Sequence, residues 1–217
     1  MNSSSPIHVG AVVFDLFELL DLFGPLEFFG LLERDAEISV IAESRGPVRS
    51  SSGPAAMAEG TMAESAGFDV LLIPGGIGTR TLIQNPPFLT ELKRLAQGSQ
   101  IVATICTGSM LLASTGLLNG RNATSNKRVF QLVKNHAPEV RWMASPDYSR
   151  SSWQCSHMHG CRCVGGMDAG FLRLWAESPL TRIGRSGCDG FRRWSERCWN
   201  DRRPADRSAT KASCRRV

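Results

Sequence analysis

An alternation of two kinds of segment constrains this chain more than any other feature. Residues 7–14 (I-H-V-G-A-V-V-F), 38–42 (I-S-V-I-A), 68–74 (F-D-V-L-L-I-P) and 100–105 (Q-I-V-A-T-I) are short β-rich runs. They are apolar on both faces, as strands inside a parallel sheet must be. Between them lie stretches with helical spacing. In residues 15–32, Gly24-Pro25 is expected to restart a helix, with Pro25 in its first turn. Residues 87–96 read as a second helix opened by Pro87, and residues 107–118 as a third that ends near Gly116. The Gly, Pro and Ser content of 46–54 (G-P-V-R-S-S-S-G-P) reads as loop. The pattern predicts an α/β fold, a doubly wound and mostly parallel sheet with helices on both faces.

In such sheets function sits at the carboxyl ends of the strands. Three unusual features fall there: Asp21 after the first strand, Pro74-Gly75-Gly76 closing the third, and Cys106 closing the fourth. A strand that turns directly into a helix puts Cys106 on a tight bend. The small neighbours Thr107, Gly108 and Ser109 suit that bend. A helix N-terminus favours a thiolate. Its N–H groups, with those of Gly75 and Gly76 opposite, are candidates for an oxyanion hole. The arrangement is similar to a nucleophile elbow with cysteine in place of serine. The plain alternative is a small apolar core residue. Asp21 favours chemistry, since a carboxyl within F-E-L-L-D-L-F-G-P is costly to bury unpaired. Glu18 is its rival for the same role.

Several stretches together resemble the ThiJ/PfpI family of the class I glutamine amidotransferase-like superfamily, most of all its isonitrile hydratase branch. They are L-D-L-F-G-P (20–25), I-P-G-G (73–76), I-C-T-G-S (105–109), A-S-T-G-L-L-N-G-R-N-A-T-S-N (113–126) and V-R-W (140–142). The resemblance implies a flavodoxin-like fold, Cys106 as nucleophile and Asp21 as its acid/base partner. Thr107 stands where protease-like and deglycase-like members typically carry His. Threonine is no general base near neutral pH, so Cys–His chemistry is disfavoured. Ser125 and Asn126 are expected either to line the pocket or to cap a helix.

Beyond Ala144 the resemblance breaks off. Residues 1–142 carry 11 Lys and Arg against 13 Asp and Glu, whereas residues 143–217 carry 14 against 7, with six of the seven cysteines and four of the five tryptophans. The expected organisation is an α/β domain over 1–144 and an aberrant or poorly ordered basic, Cys-rich segment over 145–217, with a family remnant, G-G-M-D-A-G-F, at 165–171. Dropping the first base of the Trp153 codon permits G-N-V-H-T-C-T-G-V-A-A, which runs into G-M-D-A-G-F as the family pattern would. A reading-frame slip or displaced intron boundary over 145–164 is therefore the expectation, with a second after Phe171. E-R-C-W-N-D (196–201) resumes the family pattern briefly.

Zinc-ligand residue types crowd C-S-H-M-H-G-C-R-C (155–163), but C-x-C and H-x-H lack zinc-site spacing. The tail's arginines come without a nucleic-acid-binding motif. No metal, cofactor or nucleic acid is expected. With no run of eighteen apolar residues and no signal-peptide pattern, neither is a membrane span. A cytoplasmic setting is the default, and a homodimer the expectation if the C-terminal part folds. The functional expectation is a cysteine-dependent hydratase of an isonitrile or similar small electrophile. The alternatives are a non-enzymatic sensor of oxidant or metabolite acting through Cys106, and an inactive paralogue.

Overall fold

The computed structural model describes residues 5–32 and 35–144, together with the backbone of 161–164. In chain order the elements are β1 (Ile7–Val12), α1 (Leu19–Gly30), β2 (Ala36–Ala42), β3 (Gly46–Arg49), β4 (Ala55–Ala58), β5 (Gly60–Thr61), β6 (Val70–Ile73), α2 (Thr79–Leu82), α3 (Pro86–Gly98), β7 (Ile101–Ile105), α4 (Gly108–Ser114), β8 (Asn122–Ala123), a 3-10 turn (Lys127–Val129), α5 (Phe130–His136), β9 (Arg141–Trp142) and β10 (Cys161–Val164).

Six strands form one parallel sheet in the order β10-β7-β6-β1-β2-β5. The chain runs outward from β1 to β2, then returns to the other side of β1 for β6 and β7. That reversal leaves a crevice above the carboxyl ends of β1 and β6, the place where open α/β sheets bind ligands. The four strands expected from sequence are all present, and their inner residues explain why. Val9, Ala11, Val12, Leu71, Leu72, Ile73 and Val102 are almost wholly buried. Helices cover both faces. Phe88, Leu92, Leu95 and Ala96 line the inner side of α3, and the Phe14 and Phe88 rings meet edge-on at 6.2 Å. Asn85 caps α3 by accepting from the Phe88 N–H at 3.2 Å.

Two local expectations are corrected. Helix α1 does not restart at Gly24-Pro25. It begins at Leu19 and carries Pro25 in its interior. The missing proline N–H leaves the Asp21 carbonyl without its usual i+4 donor, a cost of about 3 kcal/mol or more. The buried face of Leu22, Pro25, Leu26 and Phe29 offsets it. The loop expected over 46–54 is in fact the first strand and turn of a β3–β4 hairpin, paired antiparallel from Gly46↔Ala58 to Arg49↔Ala55.

The last strand comes from the segment in which the family resemblance breaks off: β10 pairs with β7 along Cys161↔Val102 to Val164↔Ile105. The family remnant at 165–171, the run 196–201 and the His/Cys-rich stretch up to Gly160 lie outside the described residues. Among the described residues no helix is long and apolar enough to cross a membrane.

Candidate functional site

Cys106 sits on the bend between β7 and α4 with φ +54, a left-handed conformation that residues other than glycine rarely adopt. The bend is braced from below. The Cys106 carbonyl accepts from the Ser109 hydroxyl at 3.0 Å and from the Ser125 hydroxyl at 3.1 Å, and the two hydroxyls are 2.9 Å apart. Ser125 is fully buried. It is thus a brace of the elbow, neither a pocket wall nor a helix cap.

Asn126 both caps the 3-10 turn and lines the cleft. Its carbonyl oxygen accepts from the Arg128 N–H at 2.9 Å, capping the 3-10 turn. The same bond turns the amide nitrogen toward the elbow, where it donates to Cys106 Sγ at 2.9 Å.

Asp21, from the first turn of α1, completes the group. Its Oδ2 accepts from the Gly75 N–H at 3.1 Å, and its carboxyl shares the cleft with the Cys106 side chain. Side chain is excluded at position 75: a Cβ there would come within 2.7 Å of the Thr107 nitrogen and 2.8 Å of both Asp21 Oδ2 and Cys106 Cβ. Between Asp21 and its rival Glu18, the structure brings Asp21 to the sulfur. Glu18 stands at the edge of the same cleft, its carboxylate accepting from Ser51 at 3.2 Å.

The oxyanion donors expected from Gly75 and Gly76 are both engaged within the protein. Gly75 serves Asp21, and the Gly76 N–H donates to Thr107 Oγ1 at 3.1 Å. Thr107 consequently ties the elbow to the P-G-G loop, with the buried Thr79 hydroxyl 3.2 Å away and 2.7 Å from the Gly76 carbonyl.

Burial decides the electrostatics. It lifts the Asp21 carboxyl to about 6, against the Gly75 N–H and the Cys106 thiol, and the nearby Glu18 charge adds to the rise. Burial also pushes the Cys106 thiol above its ordinary value. The Asn126 amide opposes this, the Asp21 charge reinforces it, and the Thr107 N–H and hydroxyl oppose it more weakly. The thiolate expected from the helix terminus is therefore corrected to a thiol. The helix behind it has only the seven residues of α4, and burial is the largest influence on the sulfur.

A cleft of about 350 Å³ opens over these groups. Beside Asp21, Cys106 and Asn126 it is walled by Met110, Val129, Leu132 and Ile77, with Glu18 and Arg80 as charged members. Ile77 and Leu132 are large apolar side chains left 46% and 42% exposed, which marks them as rim. From sequence, no role was assigned to Thr79, Arg80 or Met110, and Ser109 was read only as a small neighbour of the bend. G-T-R, one residue beyond the P-G-G loop, was the available signal for Thr79 and Arg80. Among the described residues no histidine lines the cleft, and no cluster of three or more His, Cys, Asp or Glu is placed to hold a metal.

Comparison with known proteins bears on family and fold. The family described as DJ-1/PfpI matches residues 8–153. An uncharacterized protein of Streptomyces lividans is 35% identical over 57% of this chain and 90% of its own length. The isonitrile hydratase of Pseudomonas putida is 30% identical over 55% of this chain, spanning about half (52%) of that enzyme. A deglycase of Thermococcus kodakarensis is 29% identical over 67% of this chain and 87% of its own. A ThiJ/PfpI family protein of Pseudomonas syringae superposes with a TM-score of 0.70 at 22% identity, covering 94% of this chain and 79% of that one, which supports the fold.

Proposed function

The chain belongs to the DJ-1/PfpI family, and on that premise we propose that it is a cysteine-dependent hydro-lyase converting an isonitrile, or a similar small electrophile, to an N-substituted formamide. The observation that carries this reading is the Asp21 carboxyl and the Cys106 side chain converging on one point above Gly75, where a Cβ would stand 2.8 Å from Asp21 Oδ2 and from Cys106 Cβ, inside a largely apolar cleft. Similarity to isonitrile hydratase adds to it, as does threonine, tied to the P-G-G loop, in place of a histidine after the cysteine.

In the first half of the reaction Cys106 Sγ bonds to the terminal carbon of R–N≡C. The thiol proton passes to Asp21 as the sulfur attacks, and Asp21 delivers it to that carbon. The product is a thioimidate, R–N=CH–S–Cys106. In the second half Asp21 takes a proton from water as its oxygen adds to the same carbon, and the nitrogen is protonated. Collapse then forms C=O, breaks C–S and returns a proton to sulfur, releasing R–NH–CHO. A carboxyl with its pKa near 6 is suited to both directions of transfer near neutral pH. The Asn126 amide stabilises negative charge on sulfur as it develops. Oxidant sensing fits less well, since it needs a thiolate and burial holds this thiol protonated.

The test is mass-spectrometric detection of formamide from a simple alkyl isonitrile. Product is expected from the native chain and none above background from Cys106→Ala or Asp21→Asn. A native chain that makes no formamide from any isonitrile offered would remove the proposal.

A further inference from the structure

The hydration chemistry above leaves one charged group of the cleft without a task. Arg80 lines the cleft, yet among the described residues its guanidinium has no hydrogen-bond or ion-pair partner. Arg45 and Arg94, by contrast, are held by Glu64 and Glu91 at 2.8 Å. The nearby charges that shift Asp21 and Cys106 are those of Glu18 and of Asp21 itself. The position of Arg80 is nonetheless fixed. Arg80 follows Thr79, whose buried hydroxyl is anchored 2.7 Å from the Gly76 carbonyl, so its backbone is built onto the loop that holds Asp21.

We infer that Arg80 sets substrate class: the cleft selects isonitriles that end, beyond an apolar spacer, in a carboxylate. This rests on the hydratase reading and adds the chemistry of R. The 350 Å³ cleft holds about a dozen non-hydrogen atoms at the volume of liquid water. An isocyano group at Cys106, a short methylene chain along Ile77 and Leu132, and a terminal carboxylate fill that space. Glu18 favours this orientation, because its carboxylate lies close enough to Asp21 to raise it and so repels an anion from the reacting end. At the exposed mouth the tail keeps part of its hydration, and the guanidinium can accept it as a planar two-pronged pair.

The experiment compares 6-isocyanohexanoate with hexyl isocyanide. The native chain is expected to give the higher kcat/KM with the anion. Arg80→Gln is expected to lower kcat/KM for the anion about fivefold more than for the neutral compound, the upper range for a solvent-exposed ion pair, and Arg80→Lys to retain part of the preference. Equal loss on both substrates, or no loss, overturns the inference. If neither compound is hydrated, the hydratase reading fails by itself, and the products decide this one. Calorimetric titration with N-formyl-6-aminohexanoate and N-hexylformamide should then show a preference for the anion that Arg80→Gln removes. Equal binding, or no binding of either, overturns it.

Discussion

The side-chain amide of Asn126 donates to the sulfur of Cys106 across 2.9 Å while its carbonyl is tied to the Arg128 N–H. The amide is therefore held in one orientation, and it is the strongest of the contacts that ease ionisation of a thiol otherwise pushed up by burial. Asn126→Ala should move the pH midpoint for iodoacetamide labelling of Cys106 upward, read on the peptide that contains it. It should also slow formamide formation by roughly tenfold or more, the scale of a lost transition-state donor. A labelling midpoint unmoved by the substitution would show that the contact does not act on the sulfur.

Asp21 gives a pH dependence with a definite sign. Its folded value of about 6 lies above the ordinary 3.8, so the fold holds this proton more tightly than the unfolded chain does. That contribution is fully present below about 4 and is lost as pH rises through 6. At pH 7.5 the ionised carboxylate burdens the fold. Asp21→Asn should therefore raise stability at pH 7.5 by about 1 kcal/mol, once solvent screening is allowed for, and give little gain at pH 4. Thermal unfolding at the two pH values checks this. In the native chain kcat/KM should fall as pH drops through about 6, where the base becomes protonated.

The left-handed backbone at Cys106 predicts an order of stabilities. Cys106→Gly should be more stable than Cys106→Ala by about 1 kcal/mol, because only glycine adopts φ +54 without strain. Chemical denaturation of the two inactive variants gives the comparison directly.

Gly75→Ala should abolish turnover. The new methyl would stand 2.8 Å from both Asp21 Oδ2 and Cys106 Cβ and 2.7 Å from the Thr107 nitrogen, so the acid and the nucleophile must move apart. The overpacking cost is about 1–3 kcal/mol. A variant that folds but shows the native labelling profile at Cys106 would contradict this.

Much of the fold could be read because its determinants are local. Val9 to Val12 and Leu71 to Ile73 are apolar on both faces since both faces are covered, and such runs are visible in one dimension. The place of Cys106 on a tight bend likewise follows from a strand meeting a helix with no room for a loop. Where the reading failed, the determinant was distant. Pro25 is tolerated inside α1 through burial that the helix sequence does not display by itself. Ser125 braces a carbonyl 19 residues away. The Gly75 and Gly76 donors were judged free because their acceptors, Asp21 and Thr107, come from other segments. The thiolate expectation weighed a helix terminus without the desolvation that opposes it.

The approach to α1 is stitched to the P-G-G loop: the Glu18 N–H donates to the Gly75 carbonyl at 2.9 Å, and Phe17 and Gly76 form an antiparallel bridge. The start of the helix that carries Asp21 and the loop beside the sulfur are consequently joined by backbone pairing. That pairing holds Asp21 and Cys106 in a fixed relation across the P-G-G loop. Traffic of small molecules is then governed at the threshold formed by Ile77 and Leu132, and mutations there should tune passage while sparing the machinery underneath.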